Sequence, residues 1–135
     1  MMRGEMAYHA GDIEAEFDWL GQAVAAKHRL VYTEPRAWMH PPRHASGALL
    51  LEQGRIDEAR IMYERDLGHD EELPFGQPNR GEVWSLLGLA ECYEKLGDPR
   101  AEDVRAALAA ALPLADQPVT SSCFCRSGAG GSGKT

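Results

Sequence analysis

Four side chains combine the types and spacing of a metal or thiol centre. His40 and His44, in His-Pro-Pro-Arg-His, stand four residues apart, and Cys123 and Cys125 stand two apart. Together they offer the nitrogens and sulfurs of a tetrahedral zinc shell, and the thiols alone suit Cu(I). Two features oppose this. Pro41 and Pro42 lie between the histidines, so one helical face is not guaranteed, and Cys-x-Cys is tighter than the spacing of most zinc sites. The expectation is no metal, with His40, His44, Cys123 and Cys125 as the ligands if one is held. A second motif, GAGGSGKT, begins at Gly128 and ends at Thr135 and matches the phosphate-loop pattern. That loop works at the start of a helix following a buried strand. The sequence offers neither, so no nucleotide is expected there. Ser121, Ser122 and Cys123 have no histidine nearby in an activating arrangement, and Cys92, beside Tyr93, reads as a small buried hydrophobe. No catalytic residue and no cofactor are expected.

The elements that would position these residues belong to one domain. The 135-residue chain is 44% hydrophobic and 26% charged, an ordinary globular balance. No apolar run approaches the roughly 20 residues of a membrane span, and the N-terminus lacks the apolar core of a signal peptide. A cytoplasmic protein off the membrane is expected. Its net charge of −7 opposes nucleic-acid binding and suits a basic partner. Three cysteines, two of them separated by one residue, do not form a disulfide framework, which fits a reducing compartment.

The chain is internally repetitive. Gly11, Gly54 and Gly97 each close one helical pattern and open another, 43 residues apart both times. Ile13, Phe17, Leu20 and Val24 form one apolar stripe. Ile56, Ala59, Tyr63 and Leu67 form the next, and Val104, Ala107, Leu108 and Ala111 the third. The helices before each glycine carry Gly4, Ala7 and Tyr8, then Ala45, Ala48 and Leu49 with Gly47 allowing close approach, then Val83, Leu86, Leu87, Ala90 and Tyr93. Asp98 and Pro99 read as the N-cap and first residue of the last helix. Residues 29–42 read as an ordered connector, with Tyr32, Trp38 and Met39 folding back as a plug. Residues 68–81 read as a loop. The whole is an all-α helical-repeat solenoid of about three antiparallel helix pairs with a period of 43. It spans residues 1–113 in units of about 1–43, 44–86 and 87–113, and 114–135 form an irregular to disordered tail. The short opening helix implies further repeats upstream or packing on a second chain.

These residues carry a resemblance. Gly47, Leu50, Gly54, Ala59, Tyr63 and Leu67 stand at the spacing of a tetratricopeptide repeat, and Trp84, Gly88 or Ala90, Tyr93 and Gly97 are similar. The pattern departs five positions past the glycine, where a small residue is usual. Glu102 stands there in the third unit and Glu16 in the first, with Ala101 and Ala15 one position earlier. Tyr32, Glu34, Pro35, Trp38, Pro41 and Arg43, leading into residues 47–55, also resemble the C-terminal part of longer bacterial tetratricopeptide-repeat proteins of unassigned activity.

In such repeats the first helix of each pair lines a concave groove. The resemblance therefore implies peptide-binding positions at Glu5, Tyr8 and His9, at His44, Leu51 and Glu52, and at Trp84, Glu91, Glu94 and Lys95. Carboxylates outnumber the single lysine, so the expected ligand is a protein or peptide with basic residues, bound by a non-catalytic scaffold. The alternative is a metal-binding or thiol-redox protein using Cys123 and Cys125 with His40 and His44.

Overall fold

The computed structural model describes residues 1–30, 40–69 and 78–126. Among them the regular elements are helices, with no strand: α1 (Met2–His9), α2 (Ile13–His28), α3 (Pro42–Glu52), α4 (Ile56–Leu67), α5 (Val83–Leu96), α6 (Ala101–Ala111) and a 3-10 turn at Leu112–Leu114. The protein is all-α, and no helix among the described residues is long and apolar enough to cross a membrane. The plug residues Tyr32, Trp38 and Met39 and the Gly128 to Thr135 motif lie outside the described residues.

Local chemistry sets the helix ends. The Asp12 carboxylate accepts from the Ala15 N–H at 3.1 Å and starts α2. Pro42 occupies the first turn of α3, where the missing N–H costs nothing. Glu82 caps α5 through its carboxylate, which accepts from the N–H groups of Trp84 and Ser85. Gly11, Gly54 and Gly97 all have left-handed φ, at 82°, 73° and 66°, the conformation that lets each pair fold back on itself without a Cβ clash. Asp98 departs from its expected role. It accepts from the Arg100 N–H at 2.9 Å and so closes the turn, while α6 starts two residues later with no side-chain cap.

Each helix packs against its neighbours in sequence, and α3 also touches α5. The centre of this arrangement is Tyr63 on α4, which has no exposed surface. Its ring enters between α3 and α5 at two glycines. A Cβ at Gly47 would lie 2.6 Å from the Tyr63 Cζ, and one at Gly88 only 2.2 Å away. Both positions must stay without a side chain for the ring to fit. Leu50, Leu67, Leu89 and Tyr93 extend this core toward Val104 of α6. A second cluster gathers Leu20 of α2, Ala45, Ala48 and Leu49 of α3, and Cys123 from beyond the last helix.

Three packing expectations change. Ala107 is exposed, because α6 has only α5 and the 3-10 turn as substantial neighbours and fully buries only Val104. α5 begins at Val83, so a unit boundary at 86/87 would divide a helix. Residues 115–126 are irregular, as expected of the tail, yet Ser121, Ser122 and Cys123 within them are buried.

Candidate functional site

The residues after the 3-10 turn run across the face formed by α3 and α5. The Tyr63 ring passes between Gly47 and Gly88, and its hydroxyl donates to Ser122 Oγ at 2.7 Å on the far side. Cys123 is 1% exposed and packs with the Ala45 and Ala48 cluster. The Cys125 sulfur lies 4.0 Å from the Ala45 carbonyl oxygen. Phe124 then meets Trp84 edge to face, with ring centroids 4.8 Å apart. Arg126 closes the crossing by donating to both carboxylate oxygens of Glu91, at 2.7 and 3.3 Å. Trp84 and Glu91 lie seven residues apart on α5, two turns along one helix face. This face thus offers an aromatic platform and a carboxylate two turns away, and a short stretch of bends and a turn from the same chain engages both.

The cysteines differ from expectation. Cys123 and Cys125 are joined as a disulfide, and Cys92 alone is a free thiol, buried so that its pKa is pushed up to about 12. His40 Nε2 lies 3.6 Å from the Cys123 sulfur. Burial, and then the nearby His44, hold the His40 imidazole below its ordinary pKa, so it is neutral at pH 7. His44 cannot complete a metal shell with them. Its ring stands edge to face with that of His40, centroids 6.2 Å apart, but its Nε2 is taken up by Asp66 Oδ2 at 2.8 Å. Among the described residues no group of three or more histidine, cysteine or acidic side chains is placed to hold a metal.

Asp66 is the hub of a buried polar knot. Besides His44, it accepts from Ser85 Oγ at 2.7 Å and from Asn79 Nδ2 at 2.6 Å, and the Arg43 guanidinium lies 3.9 Å away. Arg43 also donates to His28 Nε2. These bonds tie α2, α3, α4, α5 and residue 79 to one carboxylate. Burial alone would raise the Asp66 pKa, but the hydrogen bond and charge of His44, the Ser85 hydrogen bond and the charge of Lys27 hold it below the ordinary value. A serine, a histidine and an aspartate meet here, yet Ser85 and His44 both bond to Asp66 rather than to each other. Ser85 has no exposure, so the geometry lacks the nucleophile-to-base contact and the access that acyl transfer needs.

Glu16 is the third constellation. It is fully buried on α2, and neither carboxylate oxygen has a hydrogen-bond partner. Burial is the main cause that pushes its pKa up to about 7, opposed by Arg55 and reinforced by Glu52.

The expected groove residues separate into three groups. Trp84, Glu91 and Lys95 share a face of α5, with the Lys95 ammonium 3.8 Å from Glu91. Glu5, Tyr8, His9 and Glu52 lie toward the first helix pair. The Tyr8 hydroxyl there accepts from Gln53 at 3.0 Å, and the Tyr8 and His9 rings meet edge to face. His44, Leu51 and Glu94 are engaged elsewhere in the chain. His44 and Leu51 are 3% and 4% exposed, the first bound into the Asp66 knot and the second into the main core. Glu94 pairs with Arg105 of α6 at 2.6 Å, outside the Trp84 and Glu91 face. The sequence reading missed Ser122, Phe124 and Arg126. An aromatic and a basic residue two apart in a polar tail were the visible trace of them. For Arg43, Asp66 and Ser85 no local pattern existed.

No family model, curated protein or solved structure matches the chain.

Proposed function

We propose that this chain is a tetratricopeptide-like helical-repeat module that binds an extended peptide or protein segment along the face of α1, α3 and α5, without catalysis. The observation that carries the reading is the crossing of residues 121–126, in which Phe124 rests on Trp84 and Arg126 on Glu91. A short segment with one aromatic and one cation is accommodated there by side chains already in place, which keeps the ordering cost of binding low. The repeat arrangement is supported by the recurring turn glycines and by the contacts of α2 with α3, α4 with α5 and α3 with α5. A row of stacked hairpins makes such contacts, whereas closing a bundle requires the first and last helices to meet.

The carboxylates of Glu5, Glu52 and Glu91 on these helices favour a basic ligand. Titrating the full chain with seven-residue peptides that pair an aromatic residue with arginine, followed by amide chemical shifts of α3 and α5, tests this. Binding that Glu91→Lys removes is the expected result. Peptides that leave those amides unmoved, or that bind equally well after Glu91→Lys, overturn it.

The Cys123–Cys125 disulfide beside His40 favours a second reading, thiol–disulfide exchange. An external dithiol would supply two electrons and two protons, becoming a disulfide while Cys123 and Cys125 become thiols. Equilibration against glutathione buffers, with the thiol content read by alkylation, decides it. A pair that stays oxidised across the whole buffer range excludes exchange.

A further inference from the structure

We infer that residues 121–126 are a built-in ligand, occupying the α3–α5 face in place of an external peptide of the same chemistry, an aromatic residue followed two positions later by arginine. The inference rests on the peptide-binding reading and adds both the ligand class and its regulation.

The two halves of the segment are held differently. Ser122 and Cys123 are nearly fully buried, anchored by the Tyr63 hydroxyl and by the Ala45 and Ala48 surface. Phe124 and Arg126 lie nearer the surface. Phe124 keeps 71% of its surface in water although its ring touches Trp84. The Arg126 and Glu91 side chains are 23% and 29% exposed, so their pair sits at the edge of the water and can exchange one guanidinium for another. The anchored half fixes the position of the segment, and the outer half covers the two groups that a ligand would use. A tethered occupant of this kind competes at an effective concentration of about millimolar, with no need for high intrinsic affinity. An incoming peptide engages Trp84 and Glu91 once Phe124 and Arg126 lift away, which leaves the buried anchor undisturbed.

The chemistry of the external ligand follows from what the occupant satisfies. Trp84 presents a ring that prefers an aromatic edge, and Glu91 accepts the two-point donation that a guanidinium makes and an ammonium does not. Side chains of Phe124 and Arg126, two residues apart, reach both groups. A peptide with glutamate in place of that arginine meets Glu91 as a like charge and is rejected.

The experiment uses the full chain and a fluorescent peptide of residues 119–126 with its disulfide closed. Binding is compared between the native chain, Phe124→Ala with Arg126→Glu, and that double variant with Glu91→Lys added. Circular dichroism confirms that each remains helical. If the face is filled nine-tenths of the time or more, the double variant binds at least about ten-fold more tightly than the native chain. Adding Glu91→Lys abolishes that gain, and a probe carrying R126E binds to none. Equal affinity for the native chain and the double variant overturns the built-in ligand while leaving the peptide-binding reading standing. Folded proteins that all fail to bind the probe overturn both. Should the double variant lose helicity, Arg126→Glu alone takes its place with the same two outcomes, since it leaves the Phe124 contact intact and sets one carboxylate against another.

Discussion

At the fifth residue past the turn glycine, the central hairpin carries Ala59 and the first hairpin carries Glu16, and both side chains are fully buried. The alanine lets α3 and α4 approach and completes the core around Tyr63. The glutamate takes the equivalent place on α2 and finds no hydrogen bond for either oxygen. The central hairpin is also tied by the Asp66 knot, whereas α2 fully buries only Glu16 and Leu20, and α1 only Gly4. Leu20 packing on Ala45, Ala48 and Leu49, the Arg43 bond to His28, Arg55 stacking on Phe17 at 4.5 Å and the Gln53 bond to Tyr8 fasten the first pair to the central one. One repeated backbone geometry therefore holds a middle tied through Asp66, where Arg43 Nε and Nη1 and Asn79 Oδ1 still lack a hydrogen bond, and a first unit whose buried carboxylate lacks one altogether. Repeat order fixes which helices meet, and the residue at each equivalent position fixes how firmly.

The contrast can be broken most forcefully at its stable end. Tyr63→Ala removes the ring wedged between Gly47 and Gly88 and is expected to cost about 2–5 kcal/mol in urea unfolding. A loss below about 1 kcal/mol would show that the cavity closes easily and that the ring is no keystone.

Asp66→Ala comes next, at about 3 kcal/mol, because it leaves Arg43 buried without its facing charge and Ser85 and Asn79 without an acceptor. The folded-state pKa of Asp66 is depressed. Its contribution is therefore present above the unfolded carboxylate pKa and is lost as pH falls through the folded value. Acid titration followed by circular dichroism should show the native chain losing this advantage over Asp66→Ala at low pH.

Glu16→Gln has the opposite sign. Its carboxyl is raised to about 7 in the fold, so its contribution is full below the unfolded value and is lost as pH rises through about 7. The substitution is expected to stabilise the chain by about 1–3 kcal/mol at pH 8, with the gain shrinking as pH drops toward 4.5. Melting temperatures at pH 5 and pH 8 measure this, and an equal gain at both would mean that the fold does not raise the Glu16 pKa.

The smallest effect belongs to Glu94→Ala, which breaks only an exposed pair with Arg105 and should change stability by less than about 0.5 kcal/mol. It should also leave peptide binding unchanged, and weakened binding would return Glu94 to the groove.

The helices and their turns were legible in the sequence because both rest on neighbours within a few residues. Apolar stripes at helical spacing, a glycine that can take positive φ, and an aromatic residue opposite small ones each have a short-range signature. The site was only half legible. Trp84 and Glu91 could be placed on one face of α5 from their spacing alone. His44 and Leu51 could not be told from groove positions, since their burial depends on α4 and α5 packing over them. Tertiary structure alone decided that Glu16 is buried without a hydrogen bond, that Asp66 gathers His44, Arg43, Asn79 and Ser85, and that residues 121–126 return over helices 35 to 80 positions earlier. No local pattern encodes such contacts, because their energy arises only when distant stretches have already folded into one surface.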